Sequence, residues 1–138
     1  MQDSRERWSL MFLFAALFNF AMGGPIFFLP TWSYRVAYIG EASAGTLRFW
    51  GDFGFAVLLI GVGYWIVSRG VTKNRGLVWL GIGAKLFDVV ALSTRWASGI
   101  ARPIVLAPAA VDGAFVILFV LFLRTGIGLS QSPQAKGR

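Results

Sequence analysis

The sequence predicts an all-α, polytopic membrane protein built as a bundle of four transmembrane helices. Four apolar stretches are each long enough to cross a bilayer, which takes about 20 residues. Of the 138 residues, 57% are hydrophobic and only 14% are charged, whereas a soluble domain carries about 25% charged residues. Most of the basic residues stand at the ends of the apolar stretches, where they are typical of membrane-protein loops.

The first predicted span covers about residues 8–30 and follows a polar leader that contains Arg5 and Arg7. A basic leader before an apolar run is also typical of a secretory signal peptide. The run is longer than the usual apolar region of such a peptide, so we predict a retained helix. The longest predicted loop, residues 31–46, is rich in aromatic residues and suits the headgroup level of the membrane.

The second predicted span covers about residues 47–68 and carries three glycines. At about 100° per residue, Gly51, Gly54 and Gly61 fall within about 80° of one another on the helix. Such a stripe of small residues lets two membrane helices approach closely. We therefore predict a helix-packing surface, with the general abundance of glycine in membrane helices as the alternative interpretation.

A short basic turn leads to the third predicted span, residues 76–97, and the fourth covers residues 103–123. Pro103 suits the first position of a helix, where its missing N–H is not needed. Residues 1–124 thus form the predicted transmembrane domain. Residues 125–138 form a predicted polar C-terminal tail.

The basic residues outside the spans divide unevenly between the two sides of the membrane. Eight fall on the side of the termini: Arg5, Arg7, Arg69, Lys73, Arg75, Arg124, Lys136 and Arg138. Four fall on the other side: Arg35, Arg48, Arg95 and Arg102. Because cytoplasmic loops carry the excess of Lys and Arg, we predict that both termini are cytoplasmic, in the inner membrane of a bacterium.

The six tryptophans divide between the two predicted membrane surfaces as interface anchors. Aromatic belts of this kind mark the headgroup levels of a bilayer. The predicted cytoplasmic belt consists of Trp8, Trp65 and Trp79, and the opposite belt of Trp32, Trp50 and Trp96.

Six charged residues stand within or at the ends of the predicted spans, where each costs about 2.5–3.5 kcal/mol at a helix centre. They are Arg48, Asp52, Lys85, Asp88, Arg95 and Asp112, and Asn19 falls at the depth of Lys85. Because their charges balance, we predict that they meet on the inner face of the bundle. One interpretation is a polar cavity that binds a small ligand or relays protons. The other is a set of ion pairs that fixes helix register without any ligand.

The chain has no Cys and no His, which excludes disulfides, thiol redox centres and an imidazole base. It also removes the ordinary ligands of haem and zinc, so we predict no metal and no cofactor. A net charge of +7 would suggest nucleic-acid binding in a soluble protein. Here the basic residues follow the membrane topology, and we predict the lipid bilayer as the partner and no nucleic acid.

Several short strings resemble the small bacterial four-helix membrane proteins described as DoxX-like. They are Pro30 after the first span, Arg48-Phe-Trp-Gly51, Gly61-Val-Gly-Tyr64, Lys73-Asn-Arg75, Gly83-Ala-Lys85, and Asp112 with Phe115 and Leu118-Phe119. The resemblance implies a four-helix fold and an accessory role. Some members of that group are associated with thiol redox systems, a role that a chain without cysteine does not take over.

Three functions stay open from the sequence. The first is a non-catalytic accessory or assembly subunit of a larger membrane complex. The second is a small transporter or channel that uses Lys85, Asp88 and Asp112 and needs an oligomer. The third is a membrane enzyme with a lipid-soluble substrate and an aspartate base, although the sequence contains no pattern of nucleophile and base.

Overall fold

The computed structural model describes residues 2–125, and the predicted all-α class is confirmed. Helix α1 spans Gln2–Phe28, α2 Pro30–Ala37, α3 Ala44–Arg69, α4 Arg75–Ala97 and α5 Leu106–Arg124. A 3-10 turn, Pro103–Val105, leads into α5. Of the predicted C-terminal tail, residues 126–138 lie outside the described part of the chain.

Four of these segments are long and apolar enough to cross a membrane: Asp3–Phe28, Ala44–Arg69, Arg75–Ala97 and Pro103–Arg124. The chain is therefore a multi-pass membrane protein. Between 22% and 33% of the most apolar stretch of each helix is buried inside the chain, so the larger part of the apolar surface is left for lipid.

The four long helices form two close pairs, with α1 along α3 and α4 along α5. Glycines set the distance within the first pair. A methyl group on Gly54 would lie 2.6 Å from the backbone nitrogen of Phe27, and one on Gly61 would lie 2.8 Å from the ring of Phe20. Gly23 on α1 faces the same contact, since a methyl group there would lie 2.9 Å from the Gly54 carbonyl oxygen.

Gly51 does not belong to this packing surface, and the prediction was wrong for this residue. A methyl group on Gly51 would meet nothing within 4 Å. Gly54 already packs against Phe27, and α1 ends one residue later, at Phe28. Gly51 lies almost one turn further along α3 and is therefore beyond the end of the neighbouring helix.

We call the end of the bundle that holds α2 and the loop between α4 and α5 the α2 end. Its buried hydrophobic residues are Ile26, Tyr38, Trp50, Ala101 and Val105. The other half of the bundle is filled by a larger, aromatic-rich cluster that includes Phe12, Tyr64, Phe119 and Phe122. The two clusters are separate layers, and the polar residues described below lie between them.

The prediction of a loop over residues 31–46 was wrong in part, because residues 31–37 are helical and belong to α2. Pro30 opens the helix, where its fixed φ favours the first turn. The Trp50 indole N–H donates a 2.9 Å hydrogen bond to Ser33 Oγ, which holds α2 on α3.

The two loops at the α2 end are joined by backbone hydrogen bonds around an isolated bridge between Tyr38 and Ala101. The Ile39 N–H donates to the Ile100 carbonyl at 3.0 Å, and the Arg102 N–H donates to the Ala37 carbonyl at 2.8 Å. This link ties α2 to the start of the last span.

Candidate functional site

The candidate site is centred on Lys85, which is 2% exposed on α4. Its Nζ donates hydrogen bonds to Oδ1 of Asp112 on α5 and, at 3.2 Å, to Oδ1 of Asn19 on α1. Asn19 in turn donates from Nδ2 to the Val57 carbonyl on α3 at 3.2 Å. One chain of polar contacts thus joins all four long helices, at the level where the two helix pairs meet.

Aromatic rings enclose the lysine head. The ring centres of Phe18, Tyr64 and Phe115 lie 5.4, 5.4 and 5.0 Å from Lys85 Nζ, within the range in which a cation is attracted to a ring face. The three rings come from α1, α3 and α5, so the ammonium group is held from three sides. Such a cage replaces part of the hydration that Lys85 loses by burial.

Gly81 makes room for one of these rings. A methyl group at this position would lie 2.5 Å from Tyr64 Cε1. Without that side chain the Tyr64 ring packs directly on the backbone of α4, and its hydroxyl donates a 3.3 Å hydrogen bond to the Gly81 carbonyl. Gly81 is one helical turn before Lys85, so the small residue and the buried cation belong to the same contact between α3 and α4.

A cavity of about 390 Å³ adjoins the polar residues on the side of the α2 end. Its walls are mainly apolar and aromatic, with Phe18, Trp32, Trp50 and Phe53 among them. The polar side chains in its lining are Asn19, Ser33, Asp88 and Asp112.

The cavity is open on one side, where exposed residues line it. Ala21, Val36 and Ala107 line it, and they are also exposed on the outside of the chain. They belong to α1, α2 and α5. The open side of the cavity therefore lies where α1, α2 and α5 meet.

Asp88 differs from the other carboxylate of the site. It is half-buried and lines the cavity one turn after Lys85. Within residues 2–125, no hydrogen bond and no salt bridge is formed by its side chain, whereas Asp112 is paired with Lys85. The site therefore contains one neutralised carboxylate and one without a direct partner.

Arg95 and Tyr38 lie at the α2 end of the bundle and do not line the cavity. Arg95 Nη1 donates a 2.8 Å hydrogen bond to Tyr38 Oη, and its guanidinium carbon lies 5.8 Å from the centre of the tyrosine ring. Burial raises the pKa of the Tyr38 hydroxyl above its ordinary value, although the Arg95 guanidinium lowers it. The hydroxyl thus stays protonated, and the arginine is held on the loop that follows α2.

The prediction that all six charged residues meet was wrong for Arg48 and Asp52, which are exposed on α3. At about 100° per residue they lie roughly opposite Trp50, and the face of Trp50 is the buried one. Their charges therefore point away from the inner face. Of the predicted set, Lys85, Asp112 and Asn19 are in contact, Asp88 lies beside them in the cavity wall, and Arg95 is bound to Tyr38.

The tryptophans also divide. Trp32, Trp65, Trp79 and Trp96 are 44–63% exposed, as residues at a membrane interface would be. Trp8 and Phe122 pack in a T-shaped arrangement with ring centres 5.4 Å apart. Trp50 is only 8% exposed, so the prediction of an interface anchor was wrong there. Its N–H is bound by Ser33 inside the protein and does not reach the headgroups.

Three residues of the site were not predicted from the sequence: Ser33, Tyr64 and Phe18. Phe18 precedes Asn19 directly, but a helix turns by about 100° per residue, so adjacency did not indicate a shared contact. Tyr64 and Ser33 reach the site across helix contacts that no local pattern records.

Comparison of the chain with protein-family models, with curated proteins and with solved structures finds no match.

Proposed function

We propose that this protein is a non-catalytic accessory protein of the bacterial cytoplasmic membrane that holds a small lipid-soluble molecule in its intramembrane cavity. The cavity carries the proposal. At about 390 Å³ it lies within the range of about 300–1,000 Å³ that is usual for small-molecule sites. Its lining also has the usual character of such sites, with many apolar side chains and few polar ones.

The buried Lys85–Asp112 ion pair favours the binding of a ligand over the conduction of ions. Below the pair, Tyr64 and Phe119 pack with ring centres 5.1 Å apart, and Phe12 stacks on Phe119 at 5.0 Å. This aromatic layer separates the cavity from the far end of the bundle. A ligand that enters from the lipid would therefore stop at the polar residues.

The proposed orientation has both termini in the cytoplasm, and the uneven split of basic residues supports it. In this orientation the α2 end faces the outer side of the membrane. The cavity then opens to the outer leaflet. This position suits a molecule delivered through the bilayer or from the outer side.

The accessory role is part of the proposal and includes a second, larger protein in the membrane. The DoxX-like resemblance of the sequence supports it, and a relationship to that group is proposed on the same basis. A bundle of four membrane helices exposes much lateral surface relative to its volume. This surface favours contact with a larger membrane protein.

Transport by an oligomer is the second candidate function, and Asp88 is the observation that favours it. A carboxylate without a direct partner in the wall of a membrane cavity is a common feature of ion and substrate pathways. Four helices around an aromatic layer leave no continuous path in one copy, so this function would require at least two.

The test is to purify the protein from its own membranes in mild detergent and to record native mass spectra. Ala107→Trp fills the mouth of the cavity, and Ala110→Trp is the matched control, since Ala110 is exposed on the same helix and does not line the cavity. We expect a bound small molecule in the wild type and in the control and its loss in Ala107→Trp. Equal retention in all three proteins, or no bound molecule in any, would contradict the proposal.

The same spectra separate the two candidate roles. A stoichiometric complex with a larger membrane protein supports the accessory role. A homodimer without any other subunit supports transport.

A further inference from the structure

We infer that the cavity takes a lipophilic organic cation, with an apolar or aromatic body and an ammonium-type charge placed against the Asp88 carboxylate. This inference rests on the proposed function, because it names the chemical class of the molecule that the cavity would hold. It is carried by the distribution of charge and aromatic rings around the cavity.

The charged groups near the cavity leave one carboxylate over. Lys85 uses its ammonium protons on Asp112 and Asn19, and both acceptors lie on other helices. Within residues 2–125, Asp88 has no hydrogen bond and no salt bridge, although it lies one turn from Lys85 on the same helix. The charged form of a carboxylate in a membrane segment is strongly stabilised by an opposite charge nearby. Within residues 2–125 no side chain forms an ion pair with Asp88, so the ligand supplies the opposite charge.

The walls suit a weakly hydrated cation rather than a small metal ion. Phe18, Trp50 and Phe53 line the same cavity as Asp88, and aromatic side chains attract quaternary ammonium groups. A metal ion would need several oxygen ligands, and within the described residues there is no group of three His, Cys, Asp or Glu residues that could hold one. One carboxylate among aromatic rings fits a large, soft cation.

The positive groups of the protein restrict where the ligand charge can lie. Lys85 is neutralised by Asp112. Arg95 lies seven residues after Asp88 on α4, about 10 Å along the helix axis, and is held by Tyr38. A ligand cation is therefore favoured at the level of Asp88 and disfavoured toward Arg95, and its apolar body would extend between Phe53 and α5.

Two sources could supply this chemistry: a free organic cation, or the amino headgroup of a phospholipid whose chains remain in the bilayer. The opening of the cavity to lipid at Ala21, Val36 and Ala107 allows both. The shared requirement is an ammonium group against Asp88.

The experiment uses two probes of equal shape and different charge. They are trimethyl(para-biphenylyl)ammonium and its neutral isostere para-tert-butylbiphenyl, in which carbon replaces the charged nitrogen. Binding of each tritiated probe is measured by equilibrium dialysis against the purified full-length protein in nanodiscs of phosphatidylglycerol, with empty nanodiscs subtracted. The variants are Asp88→Asn and, as a matched carboxylate outside the cavity, Asp52→Asn.

We expect the wild type to bind the cation more tightly than the neutral probe. Asp88→Asn should weaken cation binding about tenfold to a hundredfold, the range of a single charge-assisted contact, and leave the neutral probe unchanged. Asp52→Asn should change neither. Arg95→Gln should strengthen cation binding by removing the nearest positive charge that is not paired with a carboxylate among residues 2–125.

The outcomes separate this inference from the proposed function on which it rests. If both probes bind equally and Asp88→Asn has no effect, the cavity binds lipid-soluble molecules without charge selection, and the inference is overturned while the proposed function stands. If neither probe binds and Ala107→Trp changes nothing, both are overturned.

Nanodiscs that contain phosphatidylethanolamine distinguish the two sources of the cation. Competition by this lipid with the charged probe, abolished in Asp88→Asn, assigns the site to a lipid headgroup. Unchanged binding of the charged probe in these nanodiscs assigns the site to a free organic cation. A loss of binding that persists in Asp88→Asn would contradict a headgroup at Asp88.

Discussion

Lys85 pairs with Asp112, which is 27 residues away on another helix, and not with Asp88, its neighbour one turn along α4. The side chains of Lys85 and Asp112 are 3% and 7% exposed. Because both side chains are shielded from solvent, each charge is stabilised mainly by the other, and either one alone would be buried without compensation. The contact therefore joins α4 to α5 by charge as well as by packing.

A double-mutant cycle should detect this pairing. We expect Lys85→Met and Asp112→Asn each to destabilise the bundle, by up to about 3–5 kcal/mol, because each strands the other charge. The double variant should lose at least about 1 kcal/mol less than the sum of the two single losses. The free energy of unfolding of all four proteins is measured by reversible unfolding in mixed micelles of mild detergent and dodecyl sulfate.

The control cycle uses Asp3 and Arg7, which are about four-fifths exposed and lie 3.8 Å apart. Their losses should be small and additive within about 0.5 kcal/mol. Additive losses for Lys85 and Asp112 as well would mean that the two residues do not interact in the folded protein.

The four spans could be predicted from the sequence because length and hydropathy decide them locally. A run of apolar residues must satisfy its backbone inside a bilayer, and a helix does this within one segment. The observed helices start and end within a few residues of the predicted ones, except for α1, which begins at Gln2, six residues before the predicted span. Helix α2 was missed because the eight amphipathic residues of Pro30–Ala37 carry too little apolar length to distinguish a helix from an aromatic loop.

The site could be predicted only in part, since residue type and depth are local while contact is not. Lys85 and Asn19 were placed at the same depth by counting along helices, and the two side chains are in contact. Arg48 and Asp52 were grouped with the other charged residues because the six charges balance. The direction in which α3 turns them depends on which of its faces packs on α1, and that is a property of the whole bundle.

The glycine contact between α1 and α3 gives a second prediction. Gly54→Ala should destabilise the protein by about 1–3 kcal/mol, because the added methyl group would lie 2.6 Å from the Phe27 backbone and would push the helices apart. Thermal unfolding in detergent, followed by circular dichroism, measures the loss.

Gly51→Ala is the matched control three residues away on the same helix. Its methyl group meets nothing within 4 Å, and alanine favours a helix over glycine by about 0.5–1 kcal/mol. We expect unchanged or slightly raised stability. Equal behaviour of the two variants would refute a close contact at Gly54.

The proposed orientation gives a third prediction. The chain has no Cys, so single introduced cysteines report without a background. An impermeant thiol reagent applied to intact cells should label Gly40→Cys and Ser98→Cys, which lie in the two loops of the α2 end, because these loops face outward in the proposed topology.

The same reagent should fail on Ser4→Cys and Asn74→Cys until the cells are permeabilised. Labelling after permeabilisation is the control for access to each cysteine. The reverse pattern would turn the topology over and would place the cavity in the inner leaflet.

The buried hydrogen bond between Trp50 and Ser33 gives the last prediction. Ser33→Ala removes the acceptor of the indole N–H, which is buried and 2.9 Å from Ser33 Oγ. An unsatisfied buried donor costs about 1–3 kcal/mol. We expect a loss of stability in this range, together with a change in tryptophan fluorescence, since the contact holds α2 against α3.

Trp50→Phe in the Ser33→Ala background tests the cause, because it removes the stranded donor while keeping an aromatic ring beside Tyr34, Tyr38 and Phe53. Part of the lost stability should return in the double variant relative to the sum of the single changes. Trp32→Phe is the control, since Trp32 is 59% exposed and should leave stability nearly unchanged. If Ser33→Ala left both stability and fluorescence as they are, the indole N–H would have another acceptor and α2 would be held by apolar packing alone.

Helix α2 covers one side of the cavity, so a loosened α2 in Ser33→Ala should also release bound small molecules faster than the wild type does.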